Sequence, residues 1–157
     1  MQLEKRGRTI FASHYQFYIE DPDFPVDTSA PDFWTETASN NRLAVGPGVL
    51  GIRTGSYGFV RLLTEAHDSP PEYLSGTWDH IIEAGLVITQ GKLKLVGCLD
   101  DGNEEIFSVP PGHYRVRCYY SNLAESVDVG EGGDWYVVQF WPGGPDEIKI
   151  LERWDEA

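Results

Sequence analysis

Basic residues are scarce in this 157-residue chain, where 12 Lys and Arg stand against 25 Asp and Glu and the net charge is −13. A chain with that charge is repelled by nucleic-acid phosphates and by anionic membrane surfaces. We therefore do not expect direct binding of DNA or RNA, or association with a membrane. A basic protein partner is favoured instead, because complementary charge speeds protein encounter. Solubility alone is the alternative reason for the acidity.

Cysteines and long apolar segments are also few. Cys98 and Cys118 are the chain's two cysteines, and each lies in an apolar run that predicts a strand. We expect buried thiols there, and spacing leaves open whether they are paired. No unbroken apolar stretch of signal-peptide length begins the chain, and no run approaches the roughly 18 apolar residues that span a membrane. These absences predict a cytoplasmic protein.

Catalytic signatures are missing as well. There is no G-x-S-x-G motif, and the Gly-rich run at 46–51 lacks the Lys and Ser or Thr of a phosphate loop. His14, His67, His80 and His113 are scattered, with no pair at metal-ligand spacing. We predict a non-enzymatic protein without metal or cofactor. A histidine metal site assembled by folding, as in some jelly-roll enzymes, is one alternative.

Turn residues fill the gaps between short apolar runs, with 17 Gly and 10 Pro distributed along the chain. Clean alternation predicts a first strand over 10–19, and β-branched content favours a strand over a helix at 78–89. The run at 135–141 is apolar on both faces and predicts a central strand. With about nine such strands, we predict an all-β fold: one antiparallel β-sandwich or jelly-roll-like barrel over residues 1–157.

The stretch PPGHYRVRCYY places His113, Arg115 and Arg117 on one face of a predicted strand. Two arginines cannot be buried without partners. We therefore predict a solvated sheet face with cross-strand ion pairs, which Arg61 joins from a neighbouring strand. A ligand site on this face is the alternative.

Aromatic side chains suggest a second function. Most of those in the runs at 119–120 and 135–141 are expected in the core. If Trp135 and Tyr119 are instead exposed, they would form a stacking platform for a small molecule or a carbohydrate.

Three passages carry a family resemblance: HYQFYIED near the start, W-x-x-x-x-E-A-G-L-V-I at 78–88, and VPPGHYRVRCYY near the end. The clearest feature is a Y-Q-F strand followed later by an apolar-P-x-G-x-Y-x-apolar-x-C strand. The second pattern is formed by Val109, Pro110, Gly112, Tyr114, Val116 and Cys118. Together they resemble the competence protein J family, the inhibitor of the bacterial DNA-entry nuclease. The acidic loop at 20–36 and the C-terminal extension have no match in that pattern.

The resemblance implies a small acidic protein that binds and silences a nuclease. A DNA nuclease holds phosphates in a positive groove, which an acidic inhibitor can occupy with carboxylates. An immunity protein against a toxin nuclease satisfies the same argument. We predict that loop carboxylates contact such a basic partner: Asp21, Asp23, Asp100, Asp101, Glu104, Glu105, Glu131 and Asp134.

Overall fold

The computed structural model describes residues 1–97 and 105–155. Eleven strands account for most of this described part. In chain order they are β1 (Gln2–Ala12), β2 (Gln16–Glu20), β3 (Leu43–Gly46), β4 (Val49–Arg53), β5 (Gly58–His67), β6 (His80–Ile88), β7 (Lys92–Gly97), β8 (Glu105–Ser108), β9 (Gly112–Ser121), β10 (Glu131–Pro142) and β11 (Lys149–Glu152). One short helix, α1 (Glu36–Asn41), precedes β3. No helix among these residues is long and apolar enough to span a bilayer.

The strands form two sheets. The six-stranded sheet has the order β1-β5-β10-β9-β6-β11, and the five-stranded sheet has the order β3-β4-β2-β7-β8. The pairing of β5 with β10 is parallel, and the other pairings in these two orders are antiparallel. This confirms the predicted all-β sandwich, with eleven strands in the described residues rather than nine. As predicted, β10 is central, between β5 and β9.

The predicted single strand over 10–19 is wrong. β1 ends at Ala12, and the chain re-enters as β2 in the other sheet at Gln16. Between them, His14 and Tyr15 adopt left-handed backbone conformations, with φ of 58° and 62°. Side chains with a Cβ rarely take that conformation, so an alternation pattern cannot reveal the break. This turn transfers the chain from one sheet to the other.

Apolar side chains from both sheets pack face to face to form the main core. Phe17 of the five-stranded sheet meets Tyr136 at a ring-centroid distance of 5.9 Å, and Phe107 meets Phe140 at 5.3 Å. Cys118 is buried in this core, and burial raises the pKa of its thiol. Cys98 lies outside the described residues.

The outer face of the six-stranded sheet carries a buried polar row. Gln139 of β10 lies opposite Glu65 of β5 on one side and Arg117 of β9 on the other. Arg117 in turn lies opposite Glu83 of β6. The Glu83 carboxylate accepts hydrogen bonds from Arg117 Nε at 2.7 Å and from Arg115 Nε at 3.1 Å. One carboxylate therefore forms ion pairs with two arginines across the β6–β9 pair.

Residues 68–79 cover this row. The Arg117 guanidinium donates to the Pro71 carbonyl at 3.1 Å. The Cζ atom of Arg117 lies 4.2 Å from the ring centroid of Tyr73 and 4.8 Å from that of Trp141. The covering segment thus supplies both a hydrogen-bond acceptor and an aromatic face to the buried cation, which stabilises it away from water.

We predicted that His113, Arg115 and Arg117 lie on a solvated face with cross-strand ion pairs. The ion pairs are confirmed, but the two arginines are not solvated. Arg115 and Arg117 are only 2% and 5% exposed, whereas His113 is exposed. Arg61 does not join them, because it is exposed and pairs in register with Trp135. The covering residues are distant in sequence, so the strand pattern alone could not show the burial.

Glu83→Gln is expected to lower the free energy of unfolding by about 3–5 kcal/mol, because it leaves two buried arginines without their counter-charge. Urea denaturation measures this change. Glu152→Gln, on an exposed residue of β11, is the matched control and should change stability by less than about 0.5 kcal/mol. An equal effect of the two substitutions would contradict the assigned role of Glu83.

His80 is a second buried polar group, at the start of β6. Its Nε2 donates to the Asn41 carbonyl at 2.8 Å, and its Nδ1 accepts the Trp154 backbone N–H at 3.0 Å. A ring nitrogen that accepts a hydrogen bond carries no proton, so the imidazole is neutral. Burial lowers the pKa of His80 from 6.5 to about 4.

Between pH 6.5 and about 4 the unfolded chain binds a proton at His80 that the folded chain does not. Stability should therefore fall on acidification through this window, by on the order of 3 kcal/mol from this one group. Urea denaturation at several pH values measures how the free energy of unfolding depends on pH. The wild-type protein is compared with His80→Gln, which has no imidazole to titrate. Identical slopes for wild type and His80→Gln would refute the assignment.

Candidate functional site

The predicted partner-binding carboxylates do not gather at one place. Asp21 and Asp23 follow the end of β2, whereas Glu131 and Asp134 lie at the start of β10, beside the turn where β2 begins. The length of β2 separates these two ends of the sandwich. Glu105 starts the edge strand β8. Three of the predicted residues lie outside the described residues: Asp100, Asp101 and Glu104.

The five described carboxylates also differ in exposure. Asp23 and Glu131 are exposed, while Asp21 and Asp134 are buried. Glu105 is half-buried, with its nearest carboxylate oxygen 3.7 Å from the guanidinium of Arg8 on β1. Partner binding by this set stays a prediction. Because the Asp21 and Asp134 carboxylates are buried, they are less accessible to the surface of a protein partner than exposed loop acids would be.

Beside Glu131 the fold assembles an aromatic cluster that no sequence motif indicated. It contains Phe11, His14, Tyr15, Tyr57 and Phe59. Tyr57 lies at its centre, with ring-centroid distances of 5.4 Å to Tyr15 and 5.6 Å to His14. Phe11 and Phe59 pack at 5.0 Å and are 40% and 48% exposed. The cluster is thus an aromatic surface that is partly exposed to solvent.

The left-handed turn places two rings of this cluster. Left-handed conformations at non-glycine residues cost of order 1–3 kcal/mol each and persist where the surroundings impose them. Here the Tyr15 carbonyl accepts the Thr54 N–H at 2.8 Å. The Ser13 hydroxyl lies 2.8 Å from His14 Nδ1. Such strain is concentrated at functional sites in proteins.

The buried carboxylate of Asp134 stabilises the turn that contains Ser56 and Tyr57. It accepts hydrogen bonds from the Ser56 hydroxyl, from the Ser56 N–H at 3.2 Å, and from the Tyr136 hydroxyl. Burial raises the pKa of Tyr136, which keeps its phenol protonated as a donor. Ser56 Oγ also accepts the Val127 N–H at 2.9 Å. Asp134 therefore ties the turn that carries Tyr57 to the loop before β10.

That loop gives the aromatic cluster an acidic rim, which consists of Asp128 and Glu131. The Tyr15 hydroxyl donates to Asp128 Oδ1 at 2.9 Å, and this bond raises the pKa of the Tyr15 phenol. Glu131 lies opposite Phe59 in the β5–β10 register. Between the two acids, Val129 is 86% exposed. The surface thus combines aromatic rings and an aliphatic side chain with negative charge at its edge.

The alternative sites considered from the sequence have different outcomes. Tyr119 is fully buried, and Trp135 packs on Trp78 at a centroid distance of 5.2 Å. Tyr119 therefore cannot contribute to the proposed stacking platform, whereas Trp135 is only half-buried and its part in the platform stays a prediction. Among the described residues, no group of three His, Cys, Asp or Glu is placed to hold a metal ion.

Asp134→Asn is expected to destabilise the protein by about 2–3 kcal/mol, because an amide nitrogen would face a donor where the carboxylate accepts three hydrogen bonds. The free energy of unfolding and amide exchange at residues 55–57 measure the loss. Asp128→Asn is the matched control, since that exposed carboxylate accepts a single hydrogen bond from Tyr15. Equal effects of the two changes would contradict the supporting role of Asp134.

Two solved structures are similar to this chain. One is ComJ from Bacillus subtilis, an inhibitor of the DNA-degrading activity of NucA, with a TM-score of 0.66 at 14% identity over 91% of this chain and 98% of ComJ. The other is described as crocagin biosynthetic gene J, with a TM-score of 0.60 at 18% identity over 90% of this chain and 98% of that one. No protein-family model and no curated protein matches the sequence. The resemblance to the competence protein J family is thus confirmed at the level of the fold.

Proposed function

We propose that this protein is a non-enzymatic inhibitor or immunity factor that binds a basic, DNA-degrading protein. The observation that carries the proposal is the exposed aromatic cluster with its acidic rim. Aromatic side chains are enriched at protein interfaces and provide much of their binding energy. Phe11, Tyr57 and Phe59 would act as the apolar centre of the contact.

Charge supports the basic character of the partner. Asp128 and Glu131 border the apolar centre, and the whole chain has a net charge of −13. Charges at the rim of an interface mainly steer the encounter and select the partner. A nuclease with a positive phosphate-binding groove has the complementary sign. Cytoplasmic action remains part of the proposal.

The rigidity of the surface also supports a binding role. The backbone turn at Ser13–Tyr15 and the Asp134 network hold the rings in place before any partner arrives. A preordered surface loses less conformational entropy on association, which leaves more of the contact energy as affinity.

The shared fold supports a nuclease as the partner. ComJ inhibits the DNA-degrading activity of NucA, and this chain covers nearly the full length of ComJ. Because a fold hosts many functions, the proposal depends on this chain's own surface as well as on the fold.

The test is inhibition of plasmid degradation by NucA and by a set of basic nucleases. We expect stoichiometric inhibition that weakens as salt rises, because salt screens the charged rim. The double substitution Tyr57→Ala with Phe59→Ala should raise the inhibition constant by at least about 100-fold, as removal of two interface anchors does. Leu3→Ala, which shortens an exposed apolar residue near the other end of β1, is the matched control.

Full inhibition by the double variant would overturn the aromatic cluster as the binding surface. Failure of the wild-type protein to inhibit or bind any of these nucleases would overturn the proposed partner class.

A further inference from the structure

A pocket of about 440 Å³ lies on the six-stranded sheet, where β1, β5 and β10 run side by side. We call it the Trp135 pocket. It is lined by Gly7, Arg8, Thr9, Arg61, Leu62, Leu63 and Trp135. Ligand-binding pockets have volumes of about 300–1,000 Å³, so this one is large enough for a small organic molecule.

Alternation along the strands decides which side chains face this pocket. Leu62 packs in the main core, so its neighbours Arg61 and Leu63 point to the outer face of the sheet. The register places Arg61 opposite Trp135 of β10. It places Leu63 opposite Gly7 of β1. The walls therefore combine an indole, a guanidinium group and an aliphatic side chain.

Trp135 supplies the aromatic wall. It packs on Trp78 at a ring-centroid distance of 5.2 Å, but it is only half-buried and so remains partly accessible to solvent. Leu63 is also half-buried and belongs to the same apolar cluster. An indole that its neighbours already hold in place can pack against a flat ring of a ligand.

Gly7 leaves the pocket open on the side of β1. It is exposed, and a Cβ atom at this position would meet no atom within 4 Å beyond its chain neighbours. Any larger residue would place its side chain in this space, beside Leu63 on the paired strand. Glycine within a strand often marks a place where a ligand approaches the backbone closely.

Arg61 gives the pocket its charge. It is exposed, and it forms no ion pair within residues 1–97 and 105–155. Arg8 also lines the pocket, but its guanidinium group lies 3.7 Å from a carboxylate oxygen of Glu105 on the other sheet. The described lining contains no acidic residue. In a chain with a net charge of −13, the pocket is a local site of positive sign and favours an anionic group.

We infer that the Trp135 pocket binds a small aromatic carboxylate, in which a carboxyl group is attached to a flat ring. The ring would lie on Leu63, between Trp135 and the backbone at Gly7. The carboxylate would accept two hydrogen bonds from Arg61, because guanidinium and carboxylate groups match in bidentate geometry. A neutral sugar fits less well, since it brings no charge to Arg61. The inference does not depend on the proposed inhibitor function.

The experiment is a titration of the full-length ¹⁵N-labelled protein at constant salt, followed through its backbone amide and indole N–H resonances. The probe is naphthoate. One control is naphthamide, which has the same rings and no charge, and the other is acetate, which has the charge and no ring. We expect saturable shifts at Arg61, Leu63 and the Trp135 indole with naphthoate. The dissociation constant of each control should be higher by at least about tenfold.

Two substitutions separate binding from structure. Arg61→Gln removes the charge of an exposed side chain and should raise the dissociation constant for naphthoate by at least about tenfold. Gly7→Val fills the open space and should raise it by at least about tenfold as well. Its melting temperature should stay equal or rise, because valine favours a strand more than glycine does. Lys149→Gln is the matched control, since it removes an exposed positive charge at the other edge of the sheet and should leave binding unchanged.

Three results would overturn the inference. They are the absence of localised shifts with naphthoate, equal affinity for naphthoate and naphthamide, and unchanged affinity in either Arg61→Gln or Gly7→Val. No nuclease is present in this titration, so its outcome is independent of the inhibition assay.

Discussion

The six-stranded sheet depends on a buried pair of ion pairs, in which the two carboxylate oxygens of Glu83 accept hydrogen bonds from Arg115 and Arg117. The two arginines alternate with core residues along β9, so their side chains face away from the main core. A slip of one residue in the β6–β9 register would turn both arginines into the apolar core. The ion pair therefore specifies the register, and its burial makes that specification strong, because an unpaired buried charge is expensive.

The same two arginines organise the segments that cover them. Arg115 donates to the carbonyls of Pro145 at 2.8 Å and Glu147 at 2.5 Å, which fixes the approach to β11. Arg117 does the same for residues 68–79 through Pro71. Irregular backbone needs partners for its polar groups, and buried guanidinium groups with several donors satisfy that need. The outer face of the six-stranded sheet is therefore a small second core and is not solvent-exposed at these residues.

The two ends of the sandwich carry different features. One end carries the aromatic cluster, which is flanked by the left-handed turn at His14 and Tyr15 and by the hydrogen bonds of Asp134. The other carries a cavity lined in part by Asp21 and Asp23. Each end contains one carboxylate that the loop pattern suggested as a surface acid and that the fold has buried instead. Asp134 accepts hydrogen bonds from three donors and supports a surface, whereas Asp21 has one buried oxygen without a hydrogen-bond partner among the described residues. Burial alone does not separate these roles, but the hydrogen-bond partners do.

Local pattern predicted most strands of this protein, because alternation and turn residues act over a few neighbours. The strands near 78–89 and 112–120 and the central position of 135–141 followed from those patterns. The net negative charge also followed from the sequence alone. The β1–β2 break did not, because two left-handed residues leave no mark in hydrophobic alternation.

The candidate sites were decided by tertiary structure. Of the residues predicted to bind a partner, Glu131 lies at the rim of the aromatic cluster, and Asp21 and Asp23 line the cavity. The rings of the cluster come from residues 11–15 and 57–59, which only the pairing of β1 with β5 brings together. The burial of Arg115 and Arg117 likewise depends on residues more than 25 positions away. Strand formation is local, whereas exposure depends on which distant segments pack above a strand, and a sequence pattern does not contain that information.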